Sequence, residues 1–485
     1  MTAALMIQGT GSDVGKSLLV AGIARALNNR GLKVKPFKPQ NMSNNAAITI
    51  EGGEIGRAQA LQARAARTPL QNDMNPVLLK PQTEIGAQVV VQGKVWGNAN
   101  AHDYQSIKPT LLPQVLESFE RLKKDTDLVI VEGAGSPAEI NLRKNDIANM
   151  GFAEAADIPV LLAGDIDRGG VIAQIVGTYA LLSETEKART RGFLINKFRG
   201  DPTLFDDGLT ILEERTGWQN FGVIPFFKDA YKLPPEDAFS IQSQLKEKVS
   251  VNIAIPVLSR IANYDDFDPL IAEPDVNIHM VKAGEPLPTG MDLVILPGSK
   301  ATLADMQYLR AQGWDTDILS HIRHGGSVIG ICGGYQMLGT ELLDPEGREG
   351  NLTKIDGLGL LDFKTTMTGN KKLLEESGTE HLTKSRVRGY HMHLGDTFGP
   401  ALERPMLHLQ SGPDGVISKD GAIMGSYLHG LFANDEFRTN LINRFRRNDQ
   451  KLERFEIRIE QTLDHLADHL EKHIAIDRLL EIAGC

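Results

Sequence analysis

The chain has 485 residues, 41% of them apolar and 24% charged, with a formal net charge of −10. This length predicts two or three domains, and the acidic balance argues against a general nucleic-acid binder, which would present a basic face to phosphate. Two cysteines are too few for a disulfide framework or a cysteine-rich zinc site, as expected in the reducing cytoplasm. We therefore expect small-molecule partners, and the oligomeric state is left open.

The chain begins with an apolar run, MTAALMIQGTG, which lacks the basic segment of a secretory signal and is predicted to form a strand. No apolar run approaches the roughly 18 residues that span a bilayer, so we expect no membrane segment. Short apolar runs then alternate with amphipathic helical patterns, which predicts an α/β class with two doubly wound, mainly parallel sheets. A charged, proline-containing stretch near residues 228–250 interrupts this alternation. We predict domains at residues 1–235 and 250–485, the second ending in a helical tail.

Glycines followed by Lys-Ser stand between the first predicted strand and the first predicted helix, in IQGTGSDVGKSLLVAG. Such a segment suits ATP because it offers unhindered backbone N–H groups, a lysine for the β and γ phosphates and a hydroxyl for Mg²⁺. The predicted ATP-binding residues are Gly9, Gly15, Lys16 and Ser17. The leading glycine lies one residue earlier than in the pattern G-x-x-x-x-G-K-[ST], and a chance glycine-rich turn is the alternative.

A polar loop, KPQNMSNNA, follows the next predicted strand at residues 38–46. Its side chains offer hydrogen-bond donors to an anionic ligand. The substrate-binding candidates are Lys38, Asn41, Ser43 and Asn44. Asn and Ser also form turns without binding anything, which is the alternative.

Two later predicted strands end in acidic residues. DLVIVEGAG places Glu132 at the end of one strand, and LLAGDIDRGG places Asp165 and Asp167 at the end of another. The carboxyl ends of parallel strands meet at one edge of the sheet, so Glu132 is the expected Mg²⁺ ligand beside Ser17, with Asp167 as a further candidate. Loop acids without a function are the alternative for the two aspartates.

In the second half, GSVIGICGGYQMLG places Cys332 between a predicted strand and a predicted helix, with glycines on both sides. Small neighbours permit the strained turn of a nucleophile elbow, and the start of a helix favours the thiolate. Cys332 is therefore the predicted nucleophile, and a buried structural cysteine is the alternative. The N–H groups of Gly298, in LPGSKAT, and Gly333 are the predicted oxyanion donors.

A cysteine nucleophile requires a base, and GSYLHGLFAN supplies His429 at the end of a strand-like run. The segment GYHMHLG offers His391 and His393 as competitors. This His-x-His pair also invites a metal interpretation, but the sequence nearby supplies no third histidine or acidic ligand. We predict His429 as the base and no metal at the histidine pair.

The motifs GTGSDVGKS, KPQNMSNNA, VEGAGSPAEINL and NKFRGD resemble the ATP-binding domain of the dethiobiotin synthetase-like group, in particular its cobyric acid synthase branch. The shifted first glycine is the usual form in that group. The resemblance implies that residues 1–235 form a synthetase domain that uses ATP and Mg²⁺ to phosphorylate a carboxylate. It also implies that Asn196 reads the adenine.

The segment GICGGYQMLG resembles the class I glutamine amidotransferase motif G-x-C-x-G-x-Q. The resemblance implies a thioester on Cys332 and release of ammonia from glutamine. Class I enzymes usually carry a glutamate two residues after the base, where this chain has Leu431. The cobyric branch resembles this chain in lacking that glutamate, and it generally has a histidine at the position of His393. No third catalytic residue is predicted.

Together the resemblances cover nearly the whole chain and imply a glutamine-hydrolysing ligase of the cobyric acid synthase family. Its members amidate four peripheral carboxylates of adenosylcobyrinic acid a,c-diamide in cobalamin biosynthesis, so the expected partners are glutamine and a corrinoid. One alternative is the cobyrinic acid a,c-diamide synthase of the same pathway. The other is a non-catalytic P-loop regulator with an inert amidotransferase-like domain.

Overall fold

The computed structural model describes residues 2–81, 86–234, 243, 245–246, 249–369, 372–446 and 454–485. The chain divides into two compact units, Met1–Glu236 with Ile459–Cys485 and Asp237–Arg458. None of the helices in the described ranges is long and apolar enough to cross a membrane.

The first unit alternates strands and helices as the apolar runs predict. Its strands are β1 (Ala3–Gly9), β2 (Val34–Phe37), β3 (Gln40–Met42), β4 (Ala46–Ile48), β5 (Glu54–Gly56), β6 (Val77–Pro81), β7 (Gly86–Val91), β8 (Lys94–Asn100), β9 (Leu128–Glu132), β10 (Val160–Asp165), β11 (Thr190–Phe198) and β12 (Gln219–Pro225). Its first seven helices are α1 (Lys16–Asn29), α2 (Arg57–Ala65), α3 (Ala101–Lys123), α4 (Met150–Ala155), α5 (Val171–Leu181), α6 (Glu184–Arg189) and α7 (Asp206–Thr216).

The main sheet of the first unit has the strand order β12-β11-β10-β1-β9-β2, and all its pairings are parallel. Strands β1 and β9 are buried along their whole length, as expected for a sheet covered on both faces. The segment predicted as a polar loop, residues 38–46, contains β3, which belongs to a smaller sheet, β3-β6-β7-β8, and it leads into the hairpin β4-β5. Since β1 lies between β9 and β10, the carboxyl ends of three neighbouring strands converge on the glycine-rich loop.

The second unit begins another strand series at residue 251. Its strands are β13 (Val251–Pro256), β14 (Ile261–Ala262), β15 (Val276–Val281), β16 (Leu293–Leu296), β17 (Gly298–Ser299), β18 (Ser327–Ile331), β19 (Glu341–Leu343), β20 (Lys354–Asp356), β21 (Lys364–Thr366), β22 (Lys372–Glu380), β23 (Arg386–His393), β24 (Asp396–Phe398), β25 (Leu407–Leu409), β26 (Gly412–Asp414), β27 (Val416–Ile417), β28 (Ile423–Ser426) and β29 (Leu428–His429). Its helices are α8 (Asp268–Ile271), α9 (Thr302–Ala311), α10 (Trp314–Arg323), α11 (Gly333–Met337) and α12 (Asp435–Asn443).

The main sheet of the second unit has the order β15-β13-β16-β18-β28-β27, parallel except for the β27–β28 pair. An antiparallel sheet, β26-β25-β22-β23-β29, places Tyr390 opposite His429. The elbow at Cys332 follows β18, whose neighbour β28 runs on towards β29. Two doubly wound α/β units confirm the predicted fold class.

The C-terminal helices differ from expectation. The predicted second domain, 250–485, includes the tail, whereas the structure assigns residues 459–485 to the first unit. Helix α13 (Phe455–His473), which α14 (Ile476–Ala483) follows, approaches α1 at Gly22, where a Cβ would stand 2.4 Å from Leu470 Cδ1. The buried Arg25 of α1 also bonds Glu460 and Asp464 of α13, at 2.6 and 2.7 Å. A small residue and a buried cation thus fix the tail on α1.

Arg25→Ala should loosen the tail. Arg25 is 1% exposed, and its removal leaves Glu460 and Asp464 without their closest cation, at an expected cost of about 2–4 kcal/mol because both acids keep partial contact with water. Faster amide hydrogen exchange along α13 measures this loss. Arg30→Ala is the matched control, since Arg30 pairs with Glu471 and Asp477 at the surface and should change stability by less than about 1 kcal/mol. Equal effects of the two changes would contradict the assignment.

Candidate active sites

The lysine of the glycine-rich loop after β1 bonds one carbonyl of that loop and one of the segment after β9. Lys16 Nζ donates to the carbonyl oxygens of Gly11, at 2.9 Å, and Gly135, at 3.1 Å. A Cβ on Gly9 would lie 3.0 Å from Lys16 Nζ and 2.5 Å from a Val14 methyl group, so only glycine fits there. Gly15 has φ 93°, a left-handed conformation that also favours glycine. The loop therefore has the conformation of a phosphate cradle, with its cation in place.

Glu132, at the end of β9, joins the loop to the polar segment. Its Oε1 accepts hydrogen bonds from Ser17 Oγ at 2.7 Å and Lys38 Nζ at 3.0 Å. Its Oε2 accepts one from Gln62 Nε2, in α2, at 2.6 Å. Glu132 is 1% and Lys38 6% exposed by side chain. The structure thus brings Ser17 and Glu132 together, as expected for two ligands of one site. It adds to them Lys38, which was predicted only as a substrate-binding residue, and Gln62, which the sequence analysis missed.

The other polar-loop candidates bond mainly within their own neighbourhood. Asn41 Nδ2 donates to Gln59 Oε1 at 3.0 Å, and its Oδ1 accepts from the Met42 N–H at 2.8 Å. Ser43 Oγ accepts from the Asn45 N–H at 3.0 Å. Oδ1 of Asn44 is buried and has no hydrogen-bond partner in the described part of the chain. Asn41 and Ser43 therefore fit the turn-forming alternative as well as the substrate-binding one.

The remaining candidates of the first unit lie at the ends of β10 and β11. Asp165 bonds Lys197 at 2.8 Å, while Asp167 forms a two-armed salt bridge with Arg199. Asn196 Nδ2 donates to the Val14 carbonyl at 2.8 Å and so holds the glycine-rich loop. As a metal ligand, Asp167 would first have to leave its guanidinium partner.

Cys332 occupies a strained turn between β18 and α11. Its φ of 51° and ψ of −109° lie in a region that residues with side chains rarely adopt. The glycines around it are required, because a Cβ on Gly334 would stand 2.1 Å from Leu296 O and one on Gly330 2.5 Å from Gly334 O. The Cys332 N–H donates to Ser426 O at 2.9 Å, which fixes the elbow on β28. The predicted elbow is present, and packing demands its small neighbours.

His429 lies beside this elbow, 1% exposed. Its Nδ1–H donates to Asp266 Oδ2 at 2.7 Å, and the N–H of Gly430 donates to Asp266 Oδ1 at 2.6 Å. Burial lowers the pKa of His429, but Asp266 and Cys332 raise it, with a net value of about 10. The sequence analysis named no third residue. Asp266 comes from a short 3₁₀ helix, Tyr264–Phe267, on a different segment.

The competing histidines lie on β23 but have other neighbours. His391 Nε2 is 3.7 Å from Asp414 Oδ1, and the His393 ring stacks on Tyr427 with centroids 3.7 Å apart. Burial lowers the pKa of both histidines, that of His393 to about 3, so both rings are neutral near pH 7. No group of three or more potential metal ligands occurs among the described residues.

The two oxyanion candidates lie close to Cys332 and His429. A Cβ on Gly298 would lie 3.2 Å from His429 Cε1, and one on Gly333 would lie 2.9 Å from the Ser299 nitrogen. Gln336, of the G-x-C-x-G-x-Q motif, accepts from Thr302 Oγ1 at 3.1 Å and donates to Leu394 O at 2.8 Å. Gly298 therefore lies close to the His429 ring, and Gly333 lies in the elbow, close to Ser299.

Comparisons with known proteins match this two-site arrangement. The model of the CobB/CobQ-like glutamine amidotransferase domain matches residues 252–437, and that of the CobQ/CobB/MinD/ParA nucleotide binding domain matches residues 5–241. A relative from Methylorubrum populi, named cobyric acid synthase, is 57% identical over 99% of both chains. The chain belongs to the cobyric acid synthase family. Relatives with that name from Jannaschia sp. and Methylobacterium nodulans are each 56% identical over 99–100% of both chains.

As a member of the cobyric acid synthase family, the protein is a ligase that takes its amide nitrogen from glutamine, and it has an ATP-binding domain. The nearer alternative, cobyrinic acid a,c-diamide synthase, is not favoured, because the similarity to cobyric acid synthases extends over the full length. A non-catalytic regulator is not favoured for the same reason.

Proposed function

We propose that this protein converts adenosylcobyrinic acid a,c-diamide to cobyric acid by ATP- and glutamine-dependent amidation of four peripheral carboxylates. The observation that carries this proposal is the full-length similarity, at 54–57% identity, to relatives named cobyric acid synthase. Each unit also contains a site suited to one half of that reaction. The first unit has a phosphate loop, and the second has a cysteine-histidine pair.

In the glutaminase half, the thiolate of Cys332 attacks the side-chain amide carbon of glutamine. The negative charge that develops on the amide oxygen is stabilised by the N–H groups of Gly298 and Gly333. His429 gives its Nε2 proton to the departing nitrogen, so ammonia leaves and a thioester remains on Cys332. Water then hydrolyses the thioester and releases glutamate.

In the synthetase half, the loop from Gly9 to Ser17 binds the ATP phosphates, and Lys16 is the cation at the β and γ phosphates. Ser17 Oγ and Glu132 supply oxygen ligands of the kind Mg²⁺ prefers, and they lie 2.7 Å apart. When bound there, Mg²⁺ would neutralise phosphate charge. The corrinoid carboxylate takes the γ-phosphoryl group, ADP leaves, and ammonia then displaces phosphate to form the amide.

The candidate ligand-binding residues of the first unit differ in how directly they contact the Ser17–Glu132 pair. Lys38 is the strongest candidate among the polar-loop residues, because its ammonium already lies at the Ser17–Glu132 pair. Asn41, Ser43 and Asn44 would contact the corrinoid, and Asn196 would contact the adenine. Asp167 could bind the metal only after leaving its salt bridge with Arg199.

The direct test incubates the protein with ATP, glutamine labelled at its amide nitrogen, and either cobyrinic acid or its a,c-diamide. Mass spectrometry should show four labelled nitrogens added to the a,c-diamide, with ADP and glutamate formed in step. Consumption of cobyrinic acid with only two additions would instead identify the a,c-diamide synthase. Failure to amidate either corrinoid would contradict both assignments.

The two histidine candidates are separable by substitution. His429→Ala should lower the glutaminase rate by about 10²–10⁴-fold, because it removes the proton carrier beside Cys332. His391→Ala should leave most of the rate, since His391 is neutral and lies against Asp414. Glutamate release, measured without corrinoid, compares the two variants directly. A reversed order of the losses would show that His391 is the base.

A further inference from the structure

Asp266 binds two consecutive groups of the chain around His429. Its Oδ2 receives the Nδ1–H of His429 at 2.7 Å, and its Oδ1 receives the N–H of Gly430 at 2.6 Å. The carboxylate and the imidazole are 2% and 1% exposed by side chain. Both oxygens of a buried carboxylate therefore hold the turn that carries the base.

The other groups around the imidazole do not duplicate this contact. Cys332 faces the ring, and Tyr390 stacks on it with centroids 5.3 Å apart. His391 and His393 lie close enough for the charge on His429 to lower their pKa values further, after burial. Of the titratable groups around the ring in the described chain, Asp266 is the one that binds Nδ1.

We propose that Asp266 is the positioning residue of the glutaminase site and takes the part that class I enzymes give to a glutamate two residues after the base. That position is Leu431 here, whose side chain is apolar and 1% exposed. The inference rests on the glutaminase half of the proposed function and on no feature of the corrinoid reaction.

The contact fixes the tautomer of His429. An ionised carboxylate only accepts, so the proton of the neutral imidazole stays on Nδ1 and the Nε2 lone pair is directed away from Asp266. Nε2 then takes the thiol proton of Cys332 and later gives it to the leaving ammonia. Asp266 keeps its charge throughout and exchanges no proton.

The same contact stabilises the charged form of the base. Burial alone would favour neutral imidazole, yet the nearby Asp266 and Cys332 raise the pKa of His429 to about 10. An imidazolium beside the sulfur favours the thiolate in turn. Removing the charge of Asp266 should therefore shift the pair from thiolate and imidazolium towards thiol and neutral imidazole.

Asp266→Asn tests this shift while preserving the side-chain shape. The amide oxygen can still accept the Gly430 N–H, but the NH₂ group then faces Nδ1 and forces the ring proton to Nε2. We expect glutaminase activity to fall by about 10²-fold or more. We also expect iodoacetamide to alkylate Cys332 at least about tenfold more slowly at pH 7, with the rate recovering as the pH rises. The protein with Asp266 intact should be alkylated at similar rates from about pH 6.5 to about pH 9.

Two features of the chain make the alkylation assay specific. Cys485 is exposed, so all variants are made with Cys485→Ser, which leaves Cys332 as the reactive thiol. Asp292→Asn is the matched control, because Asp292 accepts the Asn252 N–H at 2.8 Å at the opposite, amino end of β16. This control should leave both the alkylation profile and the glutaminase rate unchanged.

The alkylation and glutaminase measurements test the proposal, and neither needs the corrinoid substrate. An Asp266→Asn variant with native alkylation rates at pH 7 would overturn it, even if glutaminase activity were reduced. Should Asp266→Asn not fold, Asp266→Glu replaces it, because it keeps a carboxylate beside the ring. That variant should keep fast alkylation, and loss of fast alkylation in the folded protein would count against the assignment. Neither readout requires ATP, so a negative result leaves the synthetase half of the proposed function unaffected.

Discussion

We expect Lys16→Ala to lose nearly all amidation of the corrinoid, with glutamine and with ammonium salt alike, while glutamate release from glutamine continues. Lys16 Nζ is buried and bonds the carbonyl oxygens of Gly11, in the phosphate loop, and of Gly135, in the segment after β9, so alanine removes the cation that the loop itself supplies. Loss of a preorganised charge at transferred phosphate is expected to lower the rate by about 10²–10³-fold or more. ADP formation and labelled-amide formation, assayed with each nitrogen source, measure the loss.

Lys123→Ala is the control for this experiment. Lys123 lies at the end of α3, where it pairs with Glu120 at the surface, so its loss should leave amidation at the native rate. The glutaminase rate of Lys16→Ala, measured in the same preparation, shows that the second unit is intact. Near-normal ATP-dependent amidation by Lys16→Ala would refute the assignment of the phosphate loop.

Local motifs predicted the parts of both sites that depend on local backbone geometry. The elbow at Cys332 and the loop before Lys16 require glycines at fixed positions because a Cβ would collide with nearby backbone or side chains, and such demands leave a readable pattern. The carboxyl ends of parallel strands also meet at one edge of a sheet, and this rule was enough to expect Glu132 beside Ser17.

Contacts between residues far apart in the chain leave no comparable motif in the sequence, so the sequence analysis did not predict them. Asp266 lies 163 residues before His429, in the segment YDDFD, where neighbouring aspartates are equivalent by composition. Gln62 is one of several polar residues on an ordinary amphipathic helix, and only the fold brings it to Glu132. The apolar face of α13 predicts burial but not which helix covers it, which is why the sequence analysis placed the tail with the second domain, whereas the structure groups residues 459–485 with the first unit.

The two sites use buried charge in different ways. In the second unit, Asp266 stabilises the cation on His429 and through it the thiolate, so the charge is matched to a nucleophile. In the first unit, Glu132 is already neutralised by Lys38. Binding of ATP with Mg²⁺ at Ser17 and Glu132 would compete with that ammonium, which frees Lys38 to meet an anionic substrate group. Under the proposed function, buried charge would activate the nucleophile in the second unit, and in the first unit a buried ion pair would open when ATP and Mg²⁺ bind.

Cys332→Ser should separate the two half-reactions. Serine fits the strained elbow, but its hydroxyl is far less acidic than a thiol and therefore forms the attacking anion far less readily. Glutamine hydrolysis should therefore be lost by about 10³-fold or more. The phosphate loop does not use this thiol. Ammonium salt at mildly alkaline pH, where more of it is free ammonia, should therefore restore ATP-dependent amidation in the variant while glutamine does not.

Cys485→Ser supplies the matched control for this separation, since it makes the same change at the other cysteine of the chain, an exposed one. It should use glutamine and ammonia as the unchanged protein does. A Cys332→Ser variant that still uses glutamine well would show that the thiol is not the nucleophile. A folded variant that binds ATP but is not rescued by ammonia would show that Cys332 serves more than glutamine hydrolysis, because the acyl phosphate needs only a nitrogen nucleophile to complete the amide.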